Sequence, residues 1–110
     1  MNEGRLKNKV AIVTGASGDS GGVIVRRMHG EGVNGFALTY SSNEAKVRGL
    51  AKNLKLEPLI MRVDFTGPNA EKEAKEVVQE TVKRYGKVDV LVNNSGVWAP
   101  KPFLEETKEE

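Results

Sequence analysis

Residues 10–22 read VAIVTGASGDSGG, an uninterrupted apolar run that is followed directly by a turn rich in glycine. The run from Val10 to Val13 is short and mostly β-branched, which is typical of a strand buried on both faces, as in a parallel sheet. A helical stretch follows at residues 23–29, and Gly30 and Gly32 mark its end. These residues therefore predict a strand, a glycine-rich turn and a helix at the start of a βαβ unit.

The rest of the chain predicts three further strands and two further helices. The strands are expected at residues 36–40, 59–63 and 88–92, and the helices at residues 44–54 and from 68 or 69 to 85. Asn43 is placed to cap the second helix, and Gly86 is placed just past the end of the third. Strands that alternate with helices are joined by right-handed crossovers and form a parallel sheet. The sequence therefore predicts an α/β fold in the order β-α-β-α-β-α-β.

Length and composition fit one small domain and exclude several functions. The chain has 110 residues, a net charge of +2 and no cysteine. The near-neutral balance predicts neither nucleic acid nor a membrane surface as a partner, and the lack of cysteine excludes thiol catalysis and zinc–thiolate sites, so no metal site is expected. The first residues have no apolar core of the kind a signal peptide needs, and no apolar run approaches the length of a membrane span. We expect a cytoplasmic protein.

The glycine-rich turn predicts a phosphate-binding site. A turn without side chains lets the backbone approach a phosphate closely, and the first amides of the following helix then point at the anion, which the helix dipole also favours. The position of the turn, directly after the first strand of a βαβ unit, supports this interpretation. The alternative is a tight connection between a strand and a helix that binds no ligand.

Two motifs together resemble the short-chain dehydrogenase/reductase family. The first is Thr14-Gly15-Ala16-Ser17 with the later Gly21, and the second is Asn93-Asn94-Ser95-Gly96 after the fourth strand. The likeness covers nearly the whole chain and is greatest to members such as 3-oxoacyl-carrier-protein reductases and sugar dehydrogenases. It implies that residues 1–110 are the N-terminal βαβαβαβ half of an NAD(P)-binding domain with a Rossmann-type, doubly wound parallel sheet. The complete enzyme would transfer hydride between a nicotinamide cofactor and a carbonyl or alcohol substrate.

The resemblance also implies which residues bind the dinucleotide. Residues of the glycine turn would line the pyrophosphate and the adenosine ribose: Gly15, Ser17, Gly18 and Gly21. Asp64, after the third strand, would bond the amino group of adenine, although a role as a turn or helix-cap carboxylate is the alternative. Asn93, Ser95 and Gly96 would flank the adenosine side and stabilise the central sheet, and for Asn93 the alternative is a bond within the turn at the strand end.

Asp19 departs from the family pattern, which has a glycine at this position. Gly18 lies one position early, so the turn reads Gly-x-x-Gly-x-x-Gly. A carboxylate about 5 Å from the pyrophosphate would weaken binding about a hundredfold at an effective dielectric constant of about 20. In that case Asp19→Gly would tighten dinucleotide binding. The side chain can instead cap the helix and face away from the ligand.

The end of the second strand favours NADP(H) over NAD(H). An NAD site usually has an acidic residue there, which bonds the ribose 2′-hydroxyl. This sequence has Tyr40, Ser41 and Ser42 instead, and no carboxylate occurs before Glu44. Hydroxyl and amide groups can bond a 2′-phosphate, with Lys46 or Arg48 nearby. The alternative is that these residues form only a loop and a helix cap.

The catalytic residues of the family have no counterpart in this chain. Family members use a serine and a Tyr-x-x-x-Lys pair, but here Tyr40 is followed four places later by Glu44, and Tyr85 by Asp89. We therefore predict no catalytic residue and expect the chain to be inactive alone. A catalytically silent dinucleotide-binding or interaction module, or a remnant that binds nothing, remains an alternative. The apolar fourth strand is expected at an exposed edge of the sheet, which invites self-association.

Overall fold

A computed structural model describes residues 4–94, which form four strands and three helices. In chain order they are β1 (Val10–Val13), α1 (Asp19–Gly30), β2 (Gly35–Tyr40), α2 (Glu44–Asn53), β3 (Leu59–Arg62), α3 (Ala70–Tyr85) and β4 (Val90–Val92). All strand pairs are parallel, and the order across the sheet is β3-β2-β1-β4. The predicted α/β fold with a Rossmann-type parallel sheet is confirmed. None of the helices in this part of the chain has the length and apolar character needed to cross a lipid bilayer.

Helices cover both faces of the sheet, and alternate side chains of the central strands therefore enter two separate cores. On one face Val13 and Leu38 pack with Val25 of α1 and Val47 of α2. On the other face Ile12 and Ala37 pack with Val63 and with Val77 of α3, in a smaller core. All residues of β1 are buried, as the continuous apolar run predicts for a strand covered on both faces.

Helix α1 begins at Asp19, although the sequence predicted a start at residue 23. Gly18 has extended backbone angles and is the N-cap, and its carbonyl oxygen accepts the first bond of the helix from the N–H of Gly22 at 3.2 Å. Gly21 and Gly22 are therefore helical, in spite of the low helix propensity of glycine. Close packing explains the difference, because a Cβ on Gly21 would overlap the carbonyl oxygen of Gly15.

Strand β4 is shorter than predicted because the Asp89 side chain takes part in the pairing with β1. The Asp89 carboxylate accepts a hydrogen bond from the N–H of Val10 at 2.9 Å, and the N–H of Asp89 donates to the carbonyl oxygen of Val10 at 2.9 Å. The Val10 N–H, and then the Lys87 ammonium 3.1 Å away, hold the pKa of Asp89 below its ordinary value. The regular ladder consequently begins at Val90.

The ends of the other two helices agree with the turn chemistry expected from the sequence. The Asn43 side chain accepts a hydrogen bond from the N–H of Lys46 at 3.1 Å and so caps α2. Gly86 follows α3 with a φ of 85°, in the left-handed region, and its N–H donates to the carbonyl oxygen of Val82 at 2.7 Å. Both helices are therefore bounded by residues that satisfy free backbone groups.

Replacing Gly49 with alanine is expected to stabilise the protein by about 1 kcal/mol, because alanine loses less backbone entropy than glycine in a helix. Gly49 lies inside α2 on its exposed side, and a Cβ there would meet no atom within 4 Å. Urea unfolding followed by circular dichroism measures the change. Gly86→Ala is the matched control and should destabilise, because its positive φ strains any residue with a Cβ. A lower stability of Gly49→Ala would contradict a regular α2 at this position.

Candidate functional site

The predicted binding residues gather where the parallel strands end. Gly15 follows β1, Tyr40 ends β2, Asp64 comes shortly after β3, and Asn93 follows β4. Strand β1 lies between β2 and β4, so the chain reverses its direction of winding at β1. In open α/β sheets, ligands bind in the crevice outside the carboxyl ends of the strands at this switch point. The topology therefore brings these side chains together at the carboxyl ends of the strands.

The glycine-rich turn is held in place by Thr39, a buried residue of β2. The Thr39 hydroxyl accepts a hydrogen bond from the N–H of Gly15 at 3.3 Å, and the Thr39 carbonyl oxygen accepts one from the N–H of Ala16 at 2.9 Å. Gly15 has a φ of 66°, which favours glycine. Sequence reasoning missed Thr39, and its only signal was a hydroxyl inside an apolar strand.

The start of α1 presents backbone donors and leaves no room for a side chain. The N–H groups of Asp19, Ser20 and Gly21 precede the first bond of the helix, and no side chain caps them within the described structure. A Cβ on Gly21 would lie 2.7 Å from the Cα of Ala16, so only glycine allows the helix to start this close to the turn. Free amides at the positive end of a helix dipole fit a diphosphate group.

Thr14 links the glycine-rich turn to the turn after β4. Its buried hydroxyl donates to the side-chain oxygen of Asn93 at 3.0 Å and accepts from the N–H of Asn94 at 2.8 Å. The Asn94 side chain also donates to the carbonyl oxygen of Gly15 at 3.4 Å. Asn93 therefore makes the bond at the strand end that the sequence left open as an alternative. Ser95 and Gly96 lie outside the described residues.

Asp64 forms a tight turn with Thr66. Oδ1 of Asp64 accepts hydrogen bonds from the Thr66 hydroxyl at 2.7 Å and from the Thr66 N–H at 3.0 Å. The hydroxyl bond, followed by the backbone bond, holds the pKa of Asp64 below its ordinary value, so the carboxylate is charged at neutral pH. Asp64 therefore has the role in a turn that the sequence left open as an alternative. Its other oxygen, Oδ2, takes part in neither of these two hydrogen bonds.

The end of β2 combines hydroxyl groups with charged side chains. The Tyr40 hydroxyl donates to Glu44 at 3.2 Å, and the same carboxylate accepts from Nε of Arg48 at 2.6 Å. Partial burial and then the Glu44 carboxylate raise the pKa of Tyr40, so the phenol stays protonated. Arg62, which sequence reasoning missed, donates from Nε to the carbonyl oxygen of Ser41 at 2.9 Å. It is aligned with Tyr40 in the ladder between β2 and β3.

The Asp19 side chain binds a residue of the neighbouring helix. Its carboxylate is 2.8 Å from Nζ of Lys46, and its side chain is 98% exposed. The hydrogen bond from Lys46 is the main reason why the pKa of Asp19 lies below its ordinary value. Within the described residues Asp19 makes no capping bond to α1, so it does not act as the helix cap that the sequence offered as an alternative. Both residues line a cleft of about 360 Å³ between α1 and α2.

A doubly wound parallel sheet with a glycine-rich turn at its switch point defines the class of Rossmann dinucleotide-binding domains. Within that class, the sequence model described as short chain dehydrogenase matches residues 9–110. This chain belongs to the short-chain dehydrogenase family, as its two motifs implied. It is 36% identical over 103 residues to a diacetyl reductase [(S)-acetoin forming] of Staphylococcus epidermidis, covering 94% of this chain and 39% of the relative.

Two further relatives agree with this assignment. A 3-oxoacyl-[acyl-carrier-protein] reductase of Staphylococcus epidermidis is 34% identical over 90 residues, covering 82% of this chain and 36% of the relative. The crystal structure of a short chain dehydrogenase from Burkholderia cenocepacia in complex with NADP has a TM-score of 0.72 and 26% identity, covering 90% of this chain and 40% of that one. The chain thus spans about two fifths of the length of these relatives.

Proposed function

We propose that this chain forms the dinucleotide-binding part of an NAD(P)(H)-dependent oxidoreductase that acts on a carbonyl or alcohol substrate. The observation that carries the proposal is the start of α1, where Gly21 packs directly on the glycine-rich turn and leaves backbone amides free at the switch point of the sheet. Membership of the short-chain dehydrogenase family supports it. The bound nicotinamide ring would supply or accept the hydride.

The described residues would bind and orient the cofactor. The glycine turn and the start of α1 would hold the diphosphate through backbone groups of Gly15, Ser17, Gly18 and Gly21. Oδ2 of Asp64 would accept from the adenine amino group, while Oδ1 remains in the turn with Thr66. Asn93, held by Thr14, would flank the adenosine together with Ser95 and Gly96. No residue of the described part is assigned to proton or hydride transfer.

We propose that the site prefers NADP(H) to NAD(H). Tyr40, Ser41 and Ser42 offer hydroxyl groups where an NAD site usually has a carboxylate. The first carboxylate after β2 in the sequence, Glu44, already accepts from Tyr40 and Arg48, which makes it a poorer acceptor for a ribose 2′-hydroxyl. Arg62, which donates to the Ser41 carbonyl oxygen, adds a cation beside the same loop.

We also propose that the protein works in the cytoplasm.

Calorimetric titration of the 110-residue chain with NADPH and with NADH tests both proposals. We expect heat of binding with both cofactors and a lower Kd for NADPH. ADP-ribose, which lacks the nicotinamide ring, should also bind, because the described residues face the adenosine half. The absence of heat with millimolar concentrations of either cofactor would refute dinucleotide binding, whereas an equal or lower Kd for NADH would refute only the preference.

We propose, thirdly, that the 110-residue chain self-associates through the edge of β4. In the part of the chain that the structure describes, β4 pairs only with β1, and Leu91 is 46% exposed. Leu91 is aligned with Ile12, whose side chain lies in the core beneath α3, so it points to the same face of the sheet. An apolar strand with one unpaired edge is a template for another chain.

Substituting Leu91 with lysine is expected to reduce self-association, because a charge on an edge strand opposes pairing with a second chain. Size-exclusion chromatography with light scattering, over a range of concentrations, measures the mass of the species. Val23→Lys is the matched control, since Val23 is 63% exposed and lies on α1 and not on β4. A monodisperse wild-type monomer at high concentration would contradict the proposal.

A further inference from the structure

Asp19 and Lys46 form a charged contact between the first turns of two helices. Asp19 is the first residue of α1, and Lys46 lies in the first turn of α2. Both helices start beside the carboxyl ends of the parallel strands. The ion pair of 2.8 Å therefore spans from the glycine-rich turn to the helix that follows the loop after β2.

Lys46 is fixed relative to the loop that would meet the ribose 2′ position. In Rossmann domains the residue at the end of the second strand contacts the ribose 2′ group. Here the loop after that strand leads into Asn43, whose side chain accepts from the N–H of Lys46 at 3.1 Å. Arg48 is engaged by Glu44, and Arg62 donates to Ser41. Lys46 is thus a cation placed between this loop and the glycine-rich turn, and its partner is Asp19.

We propose that Asp19 competes with the 2′-phosphate of NADP(H) for Lys46 and so limits the selectivity of this site against NAD(H). The inference rests on the proposed dinucleotide function. An exposed ion pair is weak, so an incoming phosphate can take Lys46. The Asp19 carboxylate then lies beside the phosphate without its own partner and repels it. A cofactor without the 2′-phosphate leaves the ion pair intact, so Lys46 continues to neutralise the carboxylate and the shared diphosphate is affected much less.

The test uses two probes that differ only in the 2′-phosphate, namely 2′-phospho-ADP-ribose and ADP-ribose, titrated into the 110-residue chain. Asp19→Asn is expected to lower the Kd for 2′-phospho-ADP-ribose about tenfold and to leave that for ADP-ribose within about twofold. Lys46→Gln should raise the first Kd about tenfold and leave the second unchanged. When Asp19→Asn is combined with Lys46→Gln, the gain in affinity for 2′-phospho-ADP-ribose that Asp19→Asn gives alone should largely disappear.

Two controls separate this effect from a change in net charge or in helix stability. Glu80→Gln removes one negative charge from the exposed surface of α3, on the opposite face of the sheet, and should change neither Kd. Added salt should reduce the gain from Asp19→Asn, because screening weakens interactions between exposed charges. Circular dichroism of each variant checks that the helix content is kept.

The possible failures are distinguishable. If Asp19→Asn lowered the Kd equally for both probes, the carboxylate would be acting on the diphosphate that both contain. This result would overturn the inference. No gain for either probe, with binding intact, would also overturn it while leaving the dinucleotide function standing. If neither probe binds to the wild-type chain or to any variant, the proposed function fails and the inference fails with it.

Discussion

Replacing Gly21 with alanine should weaken dinucleotide binding at least about a hundredfold, because two or more hydrogen bonds to a charged phosphate would be lost. The Cβ would overlap the carbonyl oxygen of Gly15 and lie 2.7 Å from the Cα of Ala16, and both are backbone atoms that cannot rotate away. The start of α1 must then move off the glycine-rich turn. Overpacking of this kind also costs about 1–3 kcal/mol of unfolding free energy. Calorimetric titration and urea unfolding measure the two effects.

The neighbouring glycine provides a matched control. A Cβ on Gly22 would meet only the end of the flexible Arg26 side chain, at 3.5 Å. Gly22→Ala makes the same chemical change in the same helical turn, so it should bind the cofactor normally and be slightly more stable than the wild type. Equal behaviour of the two variants would show that the close approach of Gly21 to the turn is not what shapes the site.

Replacing Thr14 with valine should lower the unfolding free energy by about 1–3 kcal/mol, because valine keeps the shape of threonine but removes a buried hydroxyl and its hydrogen bonds to half-buried groups. The hydroxyl of Thr14, a residue that is 5% exposed, donates to Asn93 and accepts from the N–H of Asn94. Without it, the turn after β4 loses two of its hydrogen bonds to this segment and keeps the bond from the Asn94 side chain to the Gly15 carbonyl oxygen. We therefore also expect dinucleotide binding to weaken about tenfold, a loss equivalent to one net hydrogen bond.

The conservative variant Thr14→Ser separates the hydroxyl from the methyl group. Serine restores both hydrogen bonds and should return most of the binding affinity, although the missing methyl group leaves a small void. Chemical denaturation and calorimetric titration of both variants give the comparison. If Thr14→Val were as stable as the wild type and bound the cofactor equally well, the link between the two turns would have no energetic role.

The order of the elements follows from local patterns, and the alternation of strands with helices predicts parallel pairing. The buried run of β1, the cap Asn43 and the end signal Gly86 are each visible in a few consecutive residues, and all three agree with the structure. Local patterns fail where close packing between elements decides the conformation. Gly21 is helical because it packs on Gly15 and Ala16, and this packing overrides its low helix propensity.

The details of the candidate site depend on pairs that are distant in sequence. The motif residues predicted that the site lies at the carboxyl ends of the strands. They did not predict which side chains hold it in place. Thr39 holds the glycine-rich turn from a neighbouring strand, and Lys46 binds Asp19 from a neighbouring helix. Neither pair has a spacing that a helix or strand period would reveal. Side-chain partners of this kind become visible only once the strands and helices are placed.

The bonds of Thr14 have a consequence for the order in which the molecule assembles. They join residues separated by 79 and 80 positions, close to the full span of the described chain. Contacts of such high sequence separation form late, since a long loop must close before they are made. A nucleotide that prefers the assembled crevice would therefore act as a folding ligand, raising the melting temperature in proportion to the logarithm of its concentration.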